Sequence, residues 1–112
     1  MAGPDSTLHL RPAEAAERLL ARHGLTAGDI DRWEVNEAFA GVAVATIRAL
    51  GVDEARVNAD GGAVALGHPL AASGFRLLLT PAHQMRRGGA EVGVATMCGG
   101  GGQGEALLLR RG

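Results

Sequence analysis

The sequence predicts an α/β fold: a mixed sheet with helices packed on it and a final antiparallel hairpin. Three observations carry that expectation. Helical patterns interleave with short β-like runs along the chain, which favours parallel connections between the early strands. Two β-like runs flank a glycine run near the end, the pattern of a hairpin. Eighteen glycines, with only two Phe and one Trp, describe a core of small, closely approaching elements. A chain of 112 residues suffices for one hydrophobic core and is too short for two, so residues 1–112 read as one domain.

Residues 1–11 form a polar, irregular start. Pro12 suits the first turn of a helix, Ala16, Leu19, Leu20 and His23 share one of its faces, and Gly24 ends it. Thr26 with Asp29 reads as a capped single turn, and Trp33 to Val35 as a short strand. Asn36 can cap a helix running through Ala38, Phe39, Ala40, Val44, Ile47 and Leu50 to Gly51. Arg56 to Asn58 reads as another strand, and a helix follows from about Ser73 to Arg87. Pro81 falls inside that pattern, where it removes a hydrogen bond and costs about 3 kcal/mol relative to alanine, so a kink near Thr80 or a shortened helix is expected. Glu91 to Met97 and Glu105 to Arg110 are the strands of the closing hairpin.

Composition removes several function classes. All eleven basic residues are arginine, so the chain supplies neither a P-loop lysine nor a Schiff-base lysine. A formal net charge of −1, with both signs scattered, offers no basic stripe for nucleic acid and no polybasic face for a membrane. The single Cys98 cannot form an intrachain disulfide, and no Cys/His spacing suggests a metal site. The start lacks a basic region followed by an apolar run, and no segment approaches the roughly twenty apolar residues of a membrane span. A reducing, soluble, cytoplasmic setting is the expectation.

Three motifs remain. Asn36-Glu37-Ala38-Phe39 falls at a strand-to-helix junction; Gly61 to Gly74 fixes His68 between a glycine-rich turn and a helix start; Cys98 leads into Gly99-Gly100-Gly101-Gly102-Gln103-Gly104. Gly99-x-Gly101-x-x-Gly104 formally matches a dinucleotide fingerprint, but the eight residues after Gly104 leave room for neither its helix nor its distal acid. Asp60, His68 and Ser73 supply the residue types of a hydrolytic triad without the Gly-x-Ser-x-Gly elbow that exposes a serine nucleophile. A flexible linker is disfavoured because apolar strand patterns bound the glycine run on both sides. Thioester chemistry, in contrast, needs a thiolate or carbanion at neutral pH, a base with a pKa near the working pH, and fixed donors for an oxyanion. Cysteine, histidine and exposed glycine amides meet those needs, and a thiol near imidazole is activated through proton transfer. Taken singly, His68 reads as a structural histidine and Cys98 as a small buried hydrophobe. Their extended motifs reverse both readings.

Together these three motifs closely resemble the carboxy-terminal half of the thiolase family of acyltransferases, over about Gly24 to Arg110, with a looser match before that. The resemblance implies a thiolase-like fold and reversible Claisen condensation of two acyl-CoA molecules, or thiolytic cleavage of a 3-ketoacyl-CoA. It implies that His68 activates a nucleophilic cysteine and helps form one oxyanion hole, and that Asn36 holds the water completing it. Cys98 would be the second catalytic cysteine, moving the α-proton of the acyl group and protonating the leaving carbanion in reverse. The Gly100 amide would help form the other oxyanion hole, and Phe39 would lie near the acyl and pantetheine end of the substrate. CoA thioesters are implied as substrates, with no metal or redox cofactor. Two departures touch the site: Ala71 stands where the family usually has glycine, and Asp60 where asparagine is common. A carboxylate close to His68 would favour imidazolium.

The family's nucleophilic cysteine belongs to an amino-terminal half that this sequence does not contain, so the isolated chain is expected to be inactive for full turnover. Three hypotheses follow. The chain is a half-enzyme that contributes Asn36, His68 and Cys98 to a site completed by an amino-terminal thiolase half. Alternatively it is a noncatalytic interaction or homo-oligomerisation module, or a self-contained acyltransferase or thioesterase using Cys98 itself as nucleophile. The first is the expectation. Apolar surface exposed on sheet and helix would then serve binding of the complementary half or self-association.

Overall fold

The computed structural model describes residues 1–112. Helix α1 (Arg11–His23) leads to strand β1 (Arg32–Val35), helix α2 (Ala40–Leu50), the short helix α3 (Ala63–Leu66), the long helix α4 (Leu70–Arg87), and strands β2 (Val92–Gly99) and β3 (Gln103–Arg110). The strands form one sheet in the order β1-β2-β3. β1 runs parallel to β2, with Trp33 opposite Val94 and Val35 opposite Thr96. β2 and β3 are an antiparallel hairpin that pairs Val94 with Leu108 and Cys98 with Gly104. The mixed sheet with a terminal hairpin is therefore as the sequence predicts.

Side chains alternate across the sheet, and each face has its own helices. On one face the fully buried Ala16 of α1, with Leu20, Ile30, Trp33, Val35, Ala43, Val57 and Val94, makes the main core. Trp33 is its only ring and the largest fully buried side chain, while both phenylalanines are exposed. Its indole N–H is buried without an acceptor. The Thr96 hydroxyl lies 2.9 Å from the Pro12 carbonyl and 2.8 Å from the Glu105 carbonyl, linking α1, β2 and β3 on this face. On the other face α4 lays Leu77, Pro81 and Met85, all buried, against the sheet. A Cβ at Gly93 would stand 2.8 Å from the Met85 methyl and 3.3 Å from the Pro81 Cβ, so β2 admits the helix through a missing side chain.

Several local expectations need correction. His23 is exposed; the buried stripe of α1 runs through Ala13, Ala16 and Leu20. Helix α4 starts three residues before Ser73, with Pro69 preceding its first turn, and continues through Pro81 to Arg87, so it is longer than expected rather than shortened. Asn36 does not cap α2. That helix begins at Ala40, with an extended Phe39 in the cap position and no side-chain cap. The strand expected at Arg56 to Asn58 is reduced to one bridge, Val57 beside Trp33. Asn58 adopts φ 48° and completes the pairing with its side chain: Oδ1 accepts from the Val35 N–H at 2.8 Å and Nδ2 donates to the Val35 carbonyl at 2.9 Å. A side-chain amide there does the work of one more strand residue.

The irregular start is tied to the hairpin. The Gly3 N–H donates to the Gly102 carbonyl at 2.9 Å and the Gly104 N–H to the Met1 carbonyl at 3.0 Å. Arg11, 3% exposed, gathers this segment, donating to the Thr7 carbonyl and pairing with Asp5 at 2.7 Å and Glu14 at 2.6 Å. Gly102 sits at φ +77° with the Asp5 carbonyl where a Cβ would be.

Candidate functional site

The site lies at the carboxyl ends of the two parallel strands, the end at which open α/β sheets take their ligands. Asn36 follows the last residue of β1 and is fully buried; its N–H donates to the Thr96 carbonyl at 3.0 Å. Cys98 lies two residues further along β2 than Thr96. The segment between α2 and α4 carries His68 back to this end. Glu37 holds that segment, accepting from the Val64 N–H at 3.2 Å in the first turn of α3. This requires Gly62, because a Cβ there would overlap the Glu37 carboxylate.

His68 is half-buried and bridges β1 to α4. Its Nε2 lies 3.4 Å from Asn36 Nδ2 and its Nδ1 2.5 Å from Ser73 Oγ. The Ser73 hydroxyl donates to the Pro69 carbonyl at 3.1 Å. Ser73 has one hydroxyl hydrogen, so its oxygen accepts from His68 Nδ1–H, and Nε2 is left as the proton acceptor facing the Asn36 amide. With the Ser73 hydrogen directed to Pro69, the network favours the Nδ1–H tautomer. Asn36 Oδ1 is buried with no partner, an atom that calls for a water or ligand donor.

Cys98 is 7% exposed and makes no hydrogen bond to His68 or Asn36. Burial pushes its thiol up from the ordinary value, so the protonated form is favoured, suited to giving a proton to a carbanion. Gly100 is exposed in the hairpin turn, and its N–H has no acceptor within the chain, leaving an open donor. Phe39 is 59% exposed and stacks on His9 with ring centroids 6.5 Å apart. The structure thus brings Asn36 and His68 together, sets Cys98 and Gly100 at the same sheet end without a direct bond to them, and leaves Phe39 on the surface.

The two departures resolve differently. Asp60 accepts from Gln84 Nε2 at 3.0 Å and pairs with Arg87 at 2.6 Å; these two bonds hold its carboxyl below the usual range. They draw it to the far end of α4, about three turns from Ser73, and no ion pair joins it to His68. Ala71 is exposed and lines an apolar groove of ≈ 360 Å³ between α4 and the β2–β3 face, together with Leu70, Phe75, Leu78, Met97 and Leu107. No group of three or more His, Cys, Asp or Glu side chains is placed to hold a metal ion, and no helix is long and apolar enough to cross a membrane. Sequence reading missed the Ser73 role; a serine five residues after His68, in the first turn of α4, was the available signal.

This is an α/β domain with a polar His–Asn–Ser cluster at the carboxyl ends of its parallel strands. The chain belongs to the thiolase family: the family description "Thiolase, C-terminal domain" matches residues 1–111. It is 54% identical over 112 residues to a probable acetyl-CoA acetyltransferase of Mycobacterium tuberculosis, covering 100% of this chain and 28% of that protein. Among solved structures it resembles human mitochondrial 3-ketoacyl-CoA thiolase, with a TM-score of 0.89 at 41% identity over 93% of this chain and 26% of that one. It also resembles the Acat5 thiolase of Ascaris suum in complex with coenzyme A, with a TM-score of 0.87 at 46% identity over 92% of this chain and 26% of that one. The chain therefore spans little more than a quarter of the length of the relatives it matches.

Proposed function

We propose that this chain is the carboxy-terminal half of a thiolase-type acyltransferase, supplying acid–base and oxyanion-binding groups to a site whose nucleophilic cysteine comes from an amino-terminal thiolase half. The observation that carries the reading is the Asn36–His68–Ser73 network, which leaves Nε2 free of its proton at the carboxyl end of the parallel strands. In thiolysis, His68 Nε2 takes the proton of the nucleophilic thiol as that sulfur attacks the 3-keto carbonyl. The Cα–Cβ bond then breaks, and Cys98 S–H protonates the carbanion released as an acyl-CoA. The Cys98 thiolate regains its proton from the incoming CoA thiol, which attacks the acyl-enzyme and releases the second acyl-CoA, while the departing nucleophilic thiolate takes back the proton held on His68 Nε2. In condensation the same groups act in reverse, with Cys98 thiolate removing the α-proton. The unpartnered Asn36 Oδ1 supports a bound water beside His68, and the open Gly100 N–H supports an oxyanion contact. Phe39, exposed beside His9, is the residue we assign to the pantetheine end. CoA thioesters are the substrates, with no cofactor in the reaction, in a cytoplasmic setting.

The apolar groove and the exposed face of α4 suit the same reading. Leu70 is 82% exposed, Phe75 75% and Leu107 55%, a patch that a soluble domain normally covers. An amino-terminal thiolase half is the cover we assign. A module that only pairs with copies of itself would also bury the groove, but it has no use for the His68 network. Mixing the purified chain with an amino-terminal thiolase half tests this directly. Thiolysis of a 3-ketoacyl-CoA should appear with the mixture, be absent from either part alone, and be lost with His68→Ala. A stable mixed assembly without thiolysis would leave the noncatalytic module as the better account.

A further inference from the structure

We propose that the ion pair between the buried Glu34 and the partly exposed Arg76 is a positioning device for His68, setting the spacing between the strand that leads into Asn36 and the helix that carries Ser73. Glu34 is fully buried, and its Oε2 accepts from Arg76 Nη1 at 2.6 Å. Two residues on, just past the end of β1, is Asn36, whose N–H continues the pairing with the Thr96 carbonyl. One turn before Arg76 on α4, on the same helix face, is Ser73. The ion pair and the histidine bridge therefore span the same two elements in adjacent layers. Their lengths differ in a telling way. The Glu34–Arg76 bond is short and charge-assisted, whereas the Asn36 Nδ2 to His68 Nε2 approach of 3.4 Å is at the long limit of a hydrogen bond and fails with a few tenths of an ångström of separation.

The pair is poorly arranged for stability alone. It is single-point, and the other halves of both groups, Glu34 Oε1 and Arg76 Nη2, are buried without partners. With Glu34 fully buried and Arg76 23% exposed, a pair in that state recovers little of its desolvation, and well-packed apolar residues often serve stability as well or better. What apolar residues do not supply is a directional bond at fixed length. Glu34 and Arg76 are thus positioning residues, acting through Asn36 and Ser73 on the imidazole. The kinetic consequence rests on the proposed role of His68; the tautomer does not.

The test is the Glu34→Leu/Arg76→Leu double variant, which removes both charges together. Imidazole ¹⁵N spectra of the purified chain at about pH 8 report the His68 tautomer without any turnover. The native chain should show Nδ1 protonated and Nε2 bare; the double variant, with sheet amides still protected, should show a substantial share of the other tautomer. After mixing with an amino-terminal thiolase half, kcat should fall on the order of tenfold with little change in KM. A folded double variant that keeps the native His68 spectrum overturns the proposal. Should the double variant not fold, Glu34→Gln weakens the bond while keeping its shape. A smaller rise of the second tautomer is expected there, and an unchanged spectrum again overturns it. A shifted tautomer beside a mixture that has no thiolysis even with the native chain would sink the acyltransfer reading and leave the positioning intact.

Discussion

Ser73 donates its one hydroxyl hydrogen to the Pro69 carbonyl, and that commitment makes its oxygen an acceptor for His68. Ser73→Ala removes the acceptor from Nδ1–H. The expected outcome is a mixed His68 tautomer and, in the enzyme assembled with an amino-terminal half, a loss of at least about tenfold in kcat, part of the 10²–10⁴ that a positioned acid–base group supplies. Retained kcat with a mixed tautomer would detach Ser73 from the chemistry. The hairpin turn offers a second comparison. Gly101 and Gly102 both have left-handed φ, +80° and +77°, but a Cβ at Gly101 meets open space while one at Gly102 overlaps the Asp5 carbonyl. Gly101→Ala should cost about 1 kcal/mol for the backbone conformation alone. Gly102→Ala should cost at least about 1 kcal/mol more and release the segment around Gly3, read as denaturant midpoints and faster exchange of the Gly104 N–H. At this scale the sequence shows which residues carry chemistry better than whom they meet. Asn36 at a strand-to-helix junction reads as a cap because capping is local, yet its amide is turned to His68 by a contact 32 residues away.

Among the elements, β1 and α4 are joined by a group whose ionisation opposes burial. Removal from water, the largest influence, raises Glu34 from 4.5 to about 7, against the bond from Arg76, which lowers it. The folded chain therefore holds this proton over a range where the unfolded chain has lost it. Below about pH 4.5 both states are protonated and no penalty exists; between about 4.5 and 7 stability declines as pH rises, and above that it levels. Asp31 and Asp60, held below the ordinary range by backbone N–H groups of Glu91 and Val92 and by Gln84 and Arg87 respectively, act oppositely: their stabilisation is present above about pH 4 and is lost as pH falls below it. Denaturant midpoints at pH 5 and pH 7.5 should show the native chain weaker at the higher value, and Glu34→Gln with a flatter profile. A native chain more stable at pH 7.5 would contradict the burial account. The hairpin, α1 and the single turn at Thr26 were legible because their signals are local: apolar alternation, a proline at the start, a carboxylate three residues on. The strand at Arg56 to Asn58 was not, because after one main-chain bond to Trp33 the Asn58 side chain takes over the pairing with Val35. Nor was the early start of α4, although Pro69 is compatible with a position just before a helix.

For the whole molecule, one sheet face is closed by α1 and α2, while the other carries α4 and then an open groove. Phe75, 75% exposed on α4, is the largest side chain in it. Phe75→Asp should leave the isolated chain folded, since little packs against the ring, and weaken association with an amino-terminal thiolase half by on the order of thirtyfold, the effect of losing a central aromatic anchor. Calorimetric titration checks this, and unchanged affinity would move the interface elsewhere. Exposed apolar surface was anticipated from the resemblance to a longer enzyme, but not its location. Phe75 and Leu79 interrupt the polar face of α4, and only the packed structure tells which of its two apolar sides meets the sheet.

In the proposed reaction Cys98 moves the α-proton while another cysteine carries the acyl group. Exchange of the acetyl-CoA methyl hydrogens with deuterated solvent tests it most directly, with the chain assembled on an amino-terminal thiolase half. Exchange is expected with the native chain and none with Cys98→Ala, although the variant still forms an acyl adduct on the amino-terminal half. Exchange that persists undiminished in Cys98→Ala would contradict it.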